Sequence, residues 1–392
     1  MSATEGSADA AAVEVEGTVD PLEVEPEGPT SRTFPCEACG GELEFHIGAQ
    51  TLRCPFCGEV KDLDQDPETA VREQDYAAML ERLREMRARE DDDAAAAGAD
   101  DLKEIRCDAC GANVQFQGTL TARHCSYCGV PLQLEKVHEA TDRVPVDGVL
   151  PFLVDKKTAA ANLRKWVKSR WFAPGDFLKR GADGRFDGVF IPYWTFDSAT
   201  RTAYTGQRGD HYYVTQGSGK NKRRVRRTRW RSVSGRFQRF FDDVLVIAGK
   251  GLPRGRIESL EPWPLDKLVP FSPGLLAGFL ARTYDVELEQ GFTMGRDAME
   301  AALQRDVRRR IGGDVQRITS MDTSYNAITF KHLLLPIWML AYRYKGKSFQ
   351  VVVNAGTGEV QGDRPWSVGK IALAVLAGLV VIGGFVLIQS LR

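Results

Sequence analysis

The chain has 392 residues, 43% of them hydrophobic, with a formal net charge of −1. That is enough length and apolar surface for two or three cored domains, which excludes a chain disordered throughout. The near-zero total averages opposite extremes: residues 1–31 hold eight acids and no Lys or Arg, whereas residues 201–240 hold twelve Lys/Arg against one acid.

Residues 1–31 lack aromatics and cannot bury enough surface to offset ordering entropy, so they read as an acidic disordered tail. Residues 32–62 contain "PCEACGGELEFHIGAQTLRCPFCG" and residues 102–135 contain "RCDACGANVQFQGTLTARHCSYCG". Between them, residues 63–101 read as a helical spacer, with Val71, Tyr76, Met79, Leu80, Leu83 and Met86 on one face, and an acidic, Ala-rich linker. Residues 136–366 read as an α+β domain. One helix turns Leu163, Trp166 and Val167 inward, and another turns Met299, Leu303, Val307 and Ile311 inward and stops at Gly312. Strand-like runs such as "GVFIPYWTFDS", "RTAYTGQ", "DHYYVTQ" and "KHLLLPIWMLAYRYKG" fill the rest. Pro192/Trp194 and Pro336/Trp338 share a Pro-x-Trp pattern after a helix and before a hairpin, the mark of a repeated helix-plus-sheet unit. Residues 370–392 close the chain with an uncharged run between Lys370 and Arg392 and read as a transmembrane anchor. The expected fold class is therefore multidomain: two small zinc ribbons, an α+β domain and one C-terminal membrane helix.

All eight cysteines fall in four C-x-x-C pairs: Cys36/Cys39, Cys54/Cys57, Cys107/Cys110 and Cys125/Cys128. A disulfide scaffold would spread them over the whole chain, and the acidic start lacks the basic and apolar regions of a secretory signal. Both modules are C-x2-C-x14-C-x2-C, each pair followed by Gly. The Gly permits a tight knuckle that aims backbone amides at sulfur, and two facing knuckles complete a tetrahedron. Four thiolates favour zinc or iron and leave no site for water, so the expectation is two structural zinc ions, with a rubredoxin-like iron or a redox dithiol as alternatives. His46 and His124 are expected to be surface or packing residues beside complete ligand sets.

The modules resemble transcription-factor-IIB-type or rubredoxin-like zinc ribbons. The larger pattern of two ribbons, "KWVKSRWFAP", "IPYWTFD", "LLPIWMLAYRYKGKSFQVVVNAGTGEVQGDRP" and a terminal apolar segment is similar to a bacterial family of membrane-anchored zinc-ribbon proteins often labelled primosomal-helicase-like. The resemblance covers roughly residues 34–392. It implies no enzymatic activity. It implies a recruiting or scaffolding role linked with membrane-stress systems. The terminal span, with Arg364 and Lys370 before it against Arg392 after it, predicts a single-pass protein of the bacterial cytoplasmic membrane with its N-terminal bulk in the cytoplasm.

The helicase label fails on motifs, because the nearest P-loop candidate, "VTQGSGKNK", lacks both the first Gly and the Ser/Thr after Lys220. The basic run Lys222, Arg223, Arg224, Arg226, Arg227, Arg229 and Arg231, with Trp230, fits a solvated hairpin, a contact with anionic lipid, or a contact with nucleic acid. Glu37, Glu42, Glu44 and Glu59 against Arg53 make the first ribbon a poor phosphate binder and a better surface for a protein. No G-x-S-x-G or HExxH motif appears, and Asp187, Asp197, Asp242 and Asp243 show no catalytic spacing. The expected function is a non-catalytic membrane-anchored adaptor that recruits a cytosolic or membrane-associated protein and takes no small-molecule substrate. A membrane-tethered nucleic-acid-binding protein is the alternative.

Overall fold

The structure, a computed structural model, describes residues 34–63, 70–93, 102–106, 113–117, 137–139, 143–170, 185–218, 221–250, 254–344, 347–363 and 367–390. The N-terminal tail and the cysteines of the second module lie outside the described residues.

Three long strands organise the molecule. β9 (Arg185–Gln216) is 32 residues long, returns as β10 (Arg223–Ile247, 25 residues), and pairs along its other edge with β13 (Val315–Tyr344, 30 residues). Both pairings are antiparallel, with Trp230 opposite Gly209 on one side and Val315 opposite Gly209 on the other. The separate runs expected from sequence are thus one continuous strand. Gly206 and Gly209 look like breaks, yet they sit where the sheet is most crowded. A Cβ on Gly206 would lie 2.5 Å from the Arg317 carbonyl oxygen, and one on Gly209 would lie 2.6 Å from Val315 Cγ2. Bulges between Phe241 and Val244, Ile318 and Ser320, and Asn326 and Thr329 bend these strands and strengthen their twist.

Shorter strands extend this core into a 12-stranded sheet. They are β4 (Gln74–Asp75), β5 (Leu102–Arg106), β6 (Asn113–Gln117), β7 (Val137–Glu139), β8 (Gly148–Val149), β11 (Val269–Pro270), β12 (Leu280–Ala281), β14 (Lys347–Asn354) and β15 (Val360–Gly362). The first ribbon forms its own three-stranded sheet from β1 (Glu44–His46), β2 (Thr51–Arg53) and β3 (Val60–Lys61). The described longer helices are α1 (Tyr76–Asp93), α2 (Lys156–Lys168), α3 (Leu288–Ile311) and α4 (Val368–Ser390).

This corrects the expected fold class. The protein is mostly β, a large curled antiparallel sheet with few helices, in place of an α+β domain beside two independent ribbons. Local periodicity could not show it, because β5 and β6 of the second cysteine module enter the main sheet through β6 pairing with β12, and β7 adds to them on β5. Nor is the first ribbon free-standing. Its Leu43, Phe45 and Leu52 share one core with Phe152, Leu275, Ala277 and Trp338, and the Phe45 amide donates to the Ala277 carbonyl at 3.2 Å.

The expected membrane anchor is corrected too. No helix among the described residues is long and apolar enough to cross a membrane. The localisation at a bacterial membrane loses its basis with that finding.

Two halves of the sheet body are built alike. β8 lies parallel to β13 (Val149 opposite Leu334), and β12 lies parallel to β9 (Ala281 opposite Phe190). The Leu150 amide donates to Leu334 and the Arg282 amide to Phe190, at 3.0 and 3.1 Å. The Pro192 and Pro336 strands pair with each other across the middle, Leu334 opposite Pro192 and Pro336 opposite Phe190. α2 then buries Leu163 and Val167, and α3 buries Met299, Leu303, Val307 and Ile311. The α3 chain leaves the helix at Gly312 with φ 68°, a left-handed position that Gly fills without strain.

Candidate metal centre

The first cysteine module folds as its spacing predicts. After Cys36 the chain turns back on itself, with the Gly40 amide donating to the Cys36 carbonyl at 2.8 Å and the Cys36 amide donating to the Gly41 carbonyl at 2.6 Å. The second knuckle repeats the turn, with the Gly58 amide on the Cys54 carbonyl at 3.0 Å and the Cys54 amide on the Glu59 carbonyl at 2.8 Å. Gly40 and Gly58 take φ 70° and 81°, the left-handed conformation that the knuckle needs. The β1–β2 hairpin between them, with Phe45 opposite Leu52, returns the chain so that the knuckles face each other.

The four sulfurs of Cys36, Cys39, Cys54 and Cys57 lie within 4.8 Å of one another, a group that could hold one metal ion. Cys36 and Cys57 Sγ are 3.5 Å apart, as are Cys39 and Cys54 Sγ. Cys36 and Cys54 are buried beneath the ribbon, while Cys39 and Cys57 face outward. The Gly41 amide donates to Cys39 Sγ at 3.4 Å. Backbone amides set the acidity unevenly. The Cys57 amide is the main influence drawing the Cys54 thiol down to about 6, whereas Cys57, although its own bond from Glu59 lowers it, is pushed up to about 12 by the neighbouring sulfurs and by burial. Four crowded sulfurs resist carrying four negative charges unaided, and a dication supplies the missing countercharge.

His46 lies exposed at a turn, its Nδ1 accepting from the Ala49 amide at 3.1 Å, and takes no place in the sulfur cluster. Cys107, Cys110, Cys125 and Cys128 lie outside the described residues.

The basic run occupies the outer part of the β9–β10 hairpin. Lys222, Arg223, Arg224, Arg226, Arg227, Arg229 and Arg231 are all exposed. Strand alternation splits them: Arg223, Arg227, Arg229 and Arg231 share the face that carries Val233 and Phe237 against α3, whereas Arg224 and Arg226 share the opposite face with Trp230.

Sequence reasoning missed a buried ionic cluster at the bulges. Lys331, 7% exposed, places its Nζ 2.7 Å from Asp243 and 3.3 Å from Glu73. The Thr329 hydroxyl donates to Glu73 at 2.8 Å and lies 3.4 Å from Asp197, whose other oxygen accepts the Asp243 amide at 2.6 Å. Burial, with Glu73 adding to it, raises Asp197 to about 6. Beside it, burial lowers the fully enclosed His332 to about 4. The partners come from four distant segments, so spacing along the chain carried no signal. Lys331 and Asp197 are buried while Glu73 closes the cluster from the solvent side, its side chain 41% exposed, and ties the segment before α1 to β13.

No family model matches the chain, and no solved structure matches it. Among curated proteins the chain is similar to the uncharacterized protein YdjG of Bacillus subtilis (strain 168), 26% identical over 244 residues. That alignment covers 57% of this chain and 65% of the relative, so the chain spans less than two thirds of the protein it matches.

Proposed function

We propose that this chain is a non-catalytic adaptor whose first ribbon, locked by a structural zinc ion on Cys36, Cys39, Cys54 and Cys57, presents a docking rim to a protein partner. The second quartet, Cys107, Cys110, Cys125 and Cys128, has the same spacing and is assigned a second zinc ion on that ground. Soft thiolates favour zinc, and a shell of four leaves no open coordination position for chemistry.

The observation that carries the reading is Phe56. It stands inside the second knuckle between Cys54 and Cys57, yet is 79% exposed. Its ring is braced from behind, since a Cβ on Gly41 would lie 2.7 Å from Phe56 Cδ2. Val60, 53% exposed on β3, lies four residues on. A rigid aromatic held out by a metal knuckle loses little entropy on docking, as an interface anchor should. The exposed Glu42, Glu44 and Glu59 of the ribbon, with Glu37 paired to Lys61 at 2.8 Å, repel phosphate and suit a basic protein rim. The resemblance to zinc-ribbon scaffold proteins supports the same role.

Proximity labelling in cells with the full chain, against a Phe56→Asp variant of equal metal content, tests this reading. Loss of a defined set of neighbours in the variant is the expected result. An unchanged neighbour set would remove the docking role, and a purified chain without bound zinc would remove its basis.

A further inference from the structure

We propose that the helix-free face of the three-stranded β9–β10–β13 arm binds single-stranded nucleic acid. The arm has two unlike faces. One is covered by α3, which packs Val307 and Ile311 against Tyr204, Val233 and Phe237. The other is bare along its length: Ala199, Thr205, Ser232, Ser234, Ser320 and Ser324 are all exposed, and their small side chains make it flat.

Arginines stand on this flat face from all three strands: Arg201 on β9, Arg224, Arg226 and Arg236 on β10, and Arg317 on β13. Their surroundings differ from those of the arginines nearest α3. On the covered side Arg208 and Arg231 meet Asp210 at 2.9 and 3.5 Å, and Arg239 meets Asp306 at 2.7 Å. On the bare side none of the five forms an ion pair among the described residues, and Asp322 is the acid that shares the face. The fold thus pairs the guanidinium groups nearest α3, and leaves open those of the bare face together with Arg223, Arg227 and Arg229 on the outer part of the hairpin.

Two of these arginines lie over aromatic rings: Arg224 over Tyr213 at 4.5 Å and Arg317 over Trp230 at 4.2 Å. Stacked planes with fixed positive charge on an open sheet are what unpaired bases and their phosphates require, the planes for stacking and the charges for the backbone. A duplex hides its base faces and would leave the rings unused. An anionic bilayer would draw on the charges alone, at about 1 kcal/mol for each basic residue. The flat, polar, ring-bearing surface favours the single strand.

The test uses the purified full chain and a fluorescent oligouridylate, read by anisotropy at low and moderate salt, beside co-sedimentation with phosphatidylglycerol vesicles. The expected result is salt-sensitive binding that the triple variant Arg224→Glu/Arg226→Glu/Arg317→Glu weakens by about tenfold or more. Trp230→Ala should weaken it by about fivefold or more. Arg305→Glu/Arg309→Glu, on exposed positions of α3, should leave it unchanged. Circular dichroism of each variant checks the fold. The proposal is overturned if the wild-type chain fails to bind the oligonucleotide, if both sets of reversals weaken binding equally, or if vesicles capture the chain while Trp230→Ala changes nothing.

Discussion

Trp194 and Trp338 make the same hydrogen bond from opposite halves of the sheet. Trp194 Nε1 donates to the Val286 carbonyl at 2.8 Å, two residues before α3, and Trp338 Nε1 donates to the Val154 carbonyl at 2.7 Å, two residues before α2. An aromatic two residues further back packs on each indole, Tyr284 on Trp194 at 5.0 Å and Phe152 on Trp338 at 4.9 Å. Each strand thus pins the entrance of the other half's helix. Trp194→Phe or Trp338→Phe leaves a buried carbonyl unpaired, and each should lower stability by about 1–3 kcal/mol. Urea denaturation checks this. A loss at one position only would show that the two bonds are not equivalent.

The close approach of α3 to the sheet yields a second expectation. A Cβ on Gly291 would lie 2.6 Å from Trp194 Cδ1, and the bond to Val286 keeps that ring from moving aside. Gly to Ala inside a helix ordinarily gains up to about 1 kcal/mol. Here overpacking of a buried ring costs about 1–3 kcal/mol, so Gly291→Ala should be net destabilising. A raised thermal midpoint for this variant would contradict the packing.

What the sequence could announce depended on the range of each signal. The knuckles were legible because Cys36, Cys39, Cys54 and Cys57 act within one hairpin, and the buried face of α3 because Met299, Leu303, Val307 and Ile311 repeat at helical spacing. The long strands were not, since Gly206 and Gly209 answer to contacts from β13 more than 100 residues away along the chain. The cluster around Lys331 was hidden for the same reason. Charge alternation on β10 was visible, but which alternate arginines are neutralised depends on Asp210 and Asp306, placed by other elements.

That cluster gives a pH dependence with two opposed parts. Asp197 is raised to about 6 from 3.8, chiefly by burial. Between those values the folded chain keeps a proton that the unfolded chain releases, so stability falls as pH rises. His332 is lowered to about 4 from 6.5 by burial. Between those values the unfolded chain holds the extra proton, so stability rises with pH. The contributions of Asp197 and His332 should therefore largely cancel from about pH 4 to 6. His332→Asn should leave a stability that falls with pH over this range, and Asp197→Asn one that rises. Urea midpoints at both ends of the window decide it, and parallel profiles for the two variants would sink the account.

Lys331 should be the most sensitive member of the group. Its buried ammonium faces Asp243, Asp197 and the partly exposed Glu73, and those carboxylates outweigh burial in holding its pKa up. Lys331→Met removes the cation and leaves the carboxylates facing one another, which should cost about 1–3 kcal/mol near neutral pH once solvent screening at Glu73 and Asp243 is counted. Acidification should restore part of the loss, because protonating Asp197, raised to about 6, relieves the repulsion. A variant as stable as wild type at neutral pH would show that solvent already screens the cluster.

Metal removal tests how far the ribbon belongs to the body. A free-standing ribbon would melt by itself when Cys36 and Cys39 are replaced by Ser, leaving the main transition in place. The structure leads to a different expectation, because Phe45 contacts Phe279 at 6.4 Å between ring centres, and Phe279 stacks on Phe152 at 4.0 Å. Phe152 in turn packs on Trp338, which holds the entrance of α2. Loss of the metal should therefore loosen Phe45 and propagate along this aromatic chain. Cys36→Ser, Cys54→Ser or a strong chelator should lower the midpoint of the main calorimetric transition, and metal bound per chain should fall in step. A separate low-temperature transition, with the main midpoint unmoved, would show that the ribbon core and the sheet core unfold independently despite their contact.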